Sequence, residues 1–152
     1  MNLRTMLVSS LVASAALVLA GAALAQTAMP LAELGAGMYR IEAEVAHTDE
    51  TRRIGLMNRA KMPPQRGMVF VFPERRAHCM WMKNTLLPLS VAFVDDAGRI
   101  INIEDMQPQT TDNHCAAGPA RFALEMNLGW FAERGIQAGE LLRGFERLPA
   151  PR

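Results

Sequence analysis

Leu89–Val94 (LSVAFV), Asp95–Gly98 (DDAG) and Arg99–Glu104 (RIINIE) form the most explicit unit of local structure in this sequence. Two runs rich in Val, Ile and Phe flank a short turn that ends in Gly, a pattern that reads as a β-hairpin. Asp-Asp-Ala-Gly is sound turn chemistry, so the adjacent carboxylates of Asp95 and Asp96 need no catalytic explanation. Upstream, Met68–Phe72 (MVFVF) is a continuous apolar run closed by Pro73, which fits a strand buried on both faces. Met38–His47 (MYRIEAEVAH) alternates instead. Tyr39, Ile41, Ala43 and Val45 share one face and Arg40, Glu42 and Glu44 the other, giving a strand with one wet side.

Ala120–Met126 and Glu140–Phe145 read as further strands, and His78–Thr85 as a strand broken by Leu86–Pro88. Two short helices are expected. One runs from Thr48 to about Asn58, with Thr48 as N-cap, Asp49 and Glu50 in the first turn, and Ile54 and Met57 turned inward. The other is Leu128–Arg134, capped by Asn127 and stopped by Gly135. Lys61–Gly67 and Met106–Pro119 have loop composition. No internal repeat is present. Six or seven short strands with two short helices predict a compact, mainly β (α+β) domain, mostly antiparallel and barrel-like, with the helices plugging its ends. A looser α+β sandwich is the alternative.

The 152 residues suffice for one domain, and 20% charged residues is ordinary for a globular chain. Residues 1–25 have the three parts of a secretory signal peptide. Arg4 supplies the positive end, Leu7–Leu19 the apolar stretch, and Ala23-Leu24-Ala25 the small-x-small cleavage site. Gln26 follows it, so the lipoprotein route is closed. The expected mature chain starts at Gln26 and resides in the periplasm, with 26–37 a flexible lead-in, 38–146 the domain and 147–152 a frayed tail. Loss of Arg4 leaves 15 basic against 15 acidic residues. A neutral domain has no electrostatic reason to bind nucleic acid or an anionic membrane, and no later segment is apolar enough to span one. Cys79 and Cys115 in an exported chain point to one disulfide, whose closure would stabilise the fold by roughly 4 kcal/mol.

Several blocks together resemble the DUF192 family: Gly55-Leu56-Met57 with Arg59, Gly67–Pro73 (GMVFVFP), and Trp81–Thr85 (WMKNT) followed by Pro88. Gly98, Ala123-Leu124-Glu125, Gly129, Gly135-Ile136 and Gly139 fit the same pattern. The resemblance spans roughly residues 40–146 and implies a small, often exported, β-rich barrel. The family is a domain of unknown function, so the resemblance transfers no catalytic residues. The two cysteines stand outside its core pattern.

Chemistry must therefore be read from the residues themselves. Trp81, Lys83, Asn84 and Thr85 end an otherwise apolar stretch. With Arg59 and Glu125 they could hold a carboxylate, a phosphate or a sugar in a cleft. The plainer reading is that Asn84 and Thr85 satisfy a turn, Lys83 is solvated, and Glu125 pairs with a basic residue. In a regular strand His78, Met80, Met82 and Asn84 share one side, opposite Cys79, Trp81, Lys83 and Thr85. His78, Met80 and Met82, with His114 brought near by the disulfide, would then suit copper, unless the methionines simply fill the core. Zinc through the two His-Cys doublets lacks the usual Cys-x-x-Cys spacing. Nucleophile elbows, phosphate loops and zinc-protease motifs are absent, and a disulfide would consume both thiols. The expected function is accordingly a non-catalytic envelope module with no cofactor, binding a small molecule or an envelope protein. A periplasmic copper-binding protein and a small envelope hydrolase are the alternatives.

Overall fold

The apolar runs pair as their patterns require. The computed structural model describes residues 29–152, and the expected signal peptide lies outside them. Strands β1 (Leu31–Ala36), β2 (Tyr39–Ala46), β3 (Arg66–Arg76), β4 (Cys79–Met80), β5 (Leu89–Val94), β6 (Ile100–Met106), β7 (His114–Cys115), β8 (Ala120–Asn127) and β9 (Leu142–Arg143) are joined by one helix, α1 (Asp49–Ile54), and two 3₁₀ turns, Ala132–Arg134 and Phe145–Arg147. Seven strands form one sheet in the order β6-β5-β8-β3-β2-β1-β9, while β4 and β7 make a separate ribbon. All pairings are antiparallel except β2 with β3.

The sheet curls into a half-barrel whose two edges meet at one end. Arg99, just before β6, bridges to Leu141, just before β9. Ile100 N–H donates to Glu140 O at 2.9 Å, and Leu142 N–H to Gly98 O at 2.8 Å. Every strand of the sheet sends side chains into one core, including Leu34, Ile41, Val69, Ala92, Ile100, Leu124 and Leu142. A face to which all seven strands contribute is the enclosed, concave one. Trp130, Phe131 and Ile136, around the first 3₁₀ turn, join that core, as the expected second helix was to do.

A second core lies on the outer face of the central strands. Met68, Phe70 and Phe72 of β3 point there, while Val69 and Val71 point inward, so MVFVF is continuous because both sides are covered. Leu89, Val91 and Phe93 of β5 join the outer core, with Met106 at the end of β6 and Leu56, Met82 and Ala116 from the connections.

Several expectations change. The lead-in 26–37 is not loose throughout, because β1 pairs with β2 along its whole length through a two-residue turn at Gly37-Met38. Small residues such as Gly35 and Ala36 mask the strand, although Leu34 and Ala36 are buried. Helix α1 keeps its Thr48 cap, with Thr48 Oγ1 accepting from Thr51 N–H at 3.1 Å, but it ends at Ile54. Gly55 stops it by taking φ 51°, a conformation disfavoured for other residues. Ile54 is consequently exposed, and Leu56 is the residue that buries. Helix α1 lies over the outer core and does not plug the barrel. Asn127 belongs to β8, and its amide donates to Met62 O and Pro63 O instead of capping a helix. The last strand is reduced to Leu142–Arg143 because Gly144, at φ 95°, turns the chain into the second 3₁₀ segment. The tail is tied down as well: Arg152 N–H donates to His47 O, and Arg152 O accepts from Arg52.

Candidate functional site

The stretch His78–Thr85 is a strand only at Cys79–Met80. Beyond Met80 the chain turns, and Asn84 adopts φ 55°. Asn tolerates this left-handed region better than most residues, which accounts for its place between Lys83 and Thr85. The expected alternation therefore fails after Met80. Met82 and Thr85 are buried, whereas Trp81 is 47% exposed and Lys83 and Asn84 face solvent. Cys79 and Cys115 are bonded and sit directly opposite one another in the β4–β7 ribbon. The sulfur bridge thus pins the start of the turn to the returning loop.

Behind this turn lies a small cleft of about 30 Å³. Its walls come from the end of α1 (Arg52–Ile54), from Gly55–Met57, and from Met80, Trp81 and Thr85; Phe70 and Glu125 complete it. The two walls are tied together where Asn58 N–H donates to Asn84 O at 2.8 Å. Glu125 is 4% exposed. On β8, Phe122, Leu124 and Met126 face the inner core, so Glu125 points outward with Ala123, among apolar neighbours. Gly67 on β3 makes room for this strand: a Cβ there would lie 2.6 Å from Glu125 O and 2.3 Å from Met126 Sδ.

Burial alone pushes the Glu125 carboxyl up to about 8. Among the described residues no cation or donor holds it. Thr85 Oγ1 donates to Lys83 O at 3.3 Å, which leaves its lone pairs available. Arg52 reaches the cleft but is committed elsewhere, donating to Asp49 Oδ1 at 2.6 Å, Val71 O at 2.8 Å and Arg152 O at 3.0 Å. Arg53 is exposed at the mouth.

Three of the six candidate binding residues, Trp81, Thr85 and Glu125, thus line one cleft. The others do not. Arg59 is engaged by Glu44 through two hydrogen bonds of 2.5 and 2.6 Å, which hold the Glu44 carboxyl below its usual range. Lys83 Nζ lies 5.4 Å over the Trp81 ring. Asn84 serves the turn. The plain expectation that Glu125 pairs with a basic residue is not met either, because Arg52, which reaches the cleft, is bonded to Asp49, Val71 O and Arg152 O instead. The residues of α1 and Gly55–Met57 that line the cleft were missed from sequence. An isolated Glu within the Phe-Ala-Leu-Glu-Met run of residues 122–126 was the available signal.

The residues considered for copper occupy varied surroundings. His78 stacks on Phe72 with ring centroids 3.8 Å apart, and its Nε2 lies 2.7 Å from Glu74 O. Burial lowers its pKa. Met82 is wholly enclosed in the outer core, while Met80 stands opposite His114 across the ribbon. Among the described residues no three His, Cys, Asp or Glu side chains gather as a metal site. No helix among them is long and apolar enough to cross a membrane.

The chain is similar to two proteins of known structure. One, from Sinorhizobium meliloti 1021, is described as a proposed transcription regulator. It shares 34% identity over 75% of this chain and 92% of its own, with a TM-score of 0.69. The other, of unknown function, is from Novosphingobium aromaticivorans DSM 12444. It shares 28% identity over 78% and 89% of the two chains, with a TM-score of 0.74. No curated protein matches. The model of DUF192, described as an uncharacterized ACR, matches residues 32–144, beginning within β1 and ending just after β9. That match, over most of the chain, places this protein in the DUF192 family.

Proposed function

We propose that this chain is an exported binding module of the cell envelope, and that its ligand inserts a small polar group into the cleft at Trp81, Thr85 and Glu125. The observation that carries the reading is Glu125, which is 4% exposed, lines the cleft and meets no hydrogen-bond partner among the described residues. An unpaired buried polar group costs free energy and is kept where something satisfies it. Export is supported by the tripartite pattern of residues 1–25 and by the Cys79–Cys115 bond, which suits an oxidising compartment. The regulator role suggested for the Sinorhizobium protein gains little support here. Arg40, Arg52, Arg59, Arg66 and Arg75 are each paired with a carboxylate, leaving no basic stripe built from them.

A second reading, an envelope hydrolase, is favoured by the raised Glu125 pKa, since such a carboxyl can exchange a proton near neutrality. It lacks a companion: among the described residues, no second carboxylate and no histidine lines the cleft. The test is native mass spectrometry of protein recovered from the periplasm without chelator, followed by small-molecule titration watched by NMR. The binding reading expects a mature chain starting at Gln26, two hydrogens lighter than the reduced form, with saturable shifts at Trp81 and Thr85. Retained copper, or turnover of an ester or amide lost in Glu125→Gln, would replace it.

A further inference from the structure

The cleft is narrow, and its size restricts what can enter. About 30 Å³ accommodates a group of one or two heavy atoms beyond its attachment point. A sugar ring or a hydrated metal ion cannot be enclosed there. The ligand therefore presents a terminus, and the remainder of it lies outside, against Trp81 and Ile54, which are 47% and 41% exposed.

Charge narrows the choice further. The ionisable groups facing the cleft are Glu125 from β8 and Arg52 and Arg53 from α1. The residues opposite Glu125 on β3 and β5 are Met68 and Val91, both apolar. Lys83 lies just outside, over Trp81. Cations at the mouth oppose entry of an ammonium group, and the committed Arg52 leaves little to compensate an anion at depth. The two polar side chains left for a ligand are complementary: the Thr85 hydroxyl can accept, and a carboxylic acid can both donate and accept.

We propose, building on the binding reading above, that the cleft selects an uncharged terminus that both donates and accepts hydrogen bonds, a primary amide or a hydroxyl. Glu125 and Thr85 bond it, and Trp81 packs against the apolar part that follows. The rise of the Glu125 pKa to about 8 agrees with this assignment, because the side chain then meets its ligand as the neutral acid at pH 7.

The test uses the mature, disulfide-bonded chain and three small probes: acetamide, acetate and methylammonium. Each is titrated at pH 7 and followed by amide and indole NMR signals. Acetamide is expected to shift Trp81, Thr85 and Glu125 saturably and to bind at least fivefold more tightly than either ion. Thr85→Val and Glu125→Leu are each expected to weaken it about tenfold while preserving the dispersed spectrum of a folded chain. Two variants are used so that misfolding of one leaves the other decisive. Tighter binding of acetate or methylammonium overturns the uncharged class but keeps the cleft as a binding site. Absence of any saturable shift at these residues with all three probes overturns the binding reading itself.

Discussion

The two faces of the central strands are built by opposite rules. The inner face is enclosed by the sheet and lined by apolar side chains such as Leu124, Val69 and Ile41. The outer face is covered by α1, the Trp81–Pro88 turn and the loop bearing Cys115, and it contains Glu125. Strands supply their own backbone partners and pack to high density, leaving little room for chemistry. Irregular coverings leave a gap, and the one carboxyl of β8 faces it. The sheet thus provides stability, while the covered outer face holds the cleft proposed above as the binding site.

The largest test of this contrast is removal of the Cys79–Cys115 bond. Its cysteines are separated by 36 residues, which the chain-entropy relation converts to about 4 kcal/mol. A Cys79→Ser/Cys115→Ser double variant should lose about that much in urea unfolding, with amide exchange rising first in the turn after Met80. Uniform exchange increases across β3 and β8 would mean that the two faces are not separable.

Truncating the inner face should come next. Leu124→Ala removes a fully buried side chain and is expected to cost about 3 kcal/mol, leaving the acetamide affinity of the folded fraction unchanged. A loss of affinity in that fraction would show that the inner core also shapes the cleft.

The outer face should reveal itself through pH. The folded pKa of Glu125 lies near 8, above the ordinary value of 4.5. Between these limits the folded state holds a proton that the unfolded state has released. Stability contributed by the neutral acid is therefore complete below pH 4.5 and declines as pH rises towards 8, at up to about 1.4 kcal/mol per pH unit. Glu125→Gln should flatten that slope. An unchanged slope in urea midpoints measured from pH 5 to 8 would remove Glu125 as its source.

The smallest effect is expected at Arg59. Its pair with Glu44 is partly exposed, with side chains 33% and 20% accessible, so Arg59→Ala should cost about 1 kcal/mol or less. Acetamide binding should not change. A tenfold loss would return Arg59 to the site.

Much of the sheet was readable because its strands carry strong patterns. MVFVF and LSVAFV admit few other structures, and Asp-Asp-Ala-Gly marks the hairpin between β5 and β6. β1 escaped because Leu-Gly-Ala carries little pattern of its own and becomes a strand only when β2 pairs with it. The turn after Met80 was mistaken for strand because its apolar residues suit either structure; only the left-handed Asn84 separates them, and Asn is a weak marker alone. In the site, Trp81, Thr85 and Glu125 could be suspected individually. Their meeting depends on α1 ending at Gly55 and folding over β8, a long-range arrangement that no local pattern records.

The pairing of β2 with β3 has a wider consequence. Because these two strands run in the same direction, the chain between Ala46 and Arg66 must travel back along the sheet before β3 can start. Such a return needs about a dozen residues or more, so this span can be extended but not trimmed to a tight turn. It is also the span that roofs Glu125. The topology thereby keeps a cover over the cleft, with the pattern residues Gly55-Leu56-Met57 inside it, while the rest of the span can lengthen without disturbing the barrel.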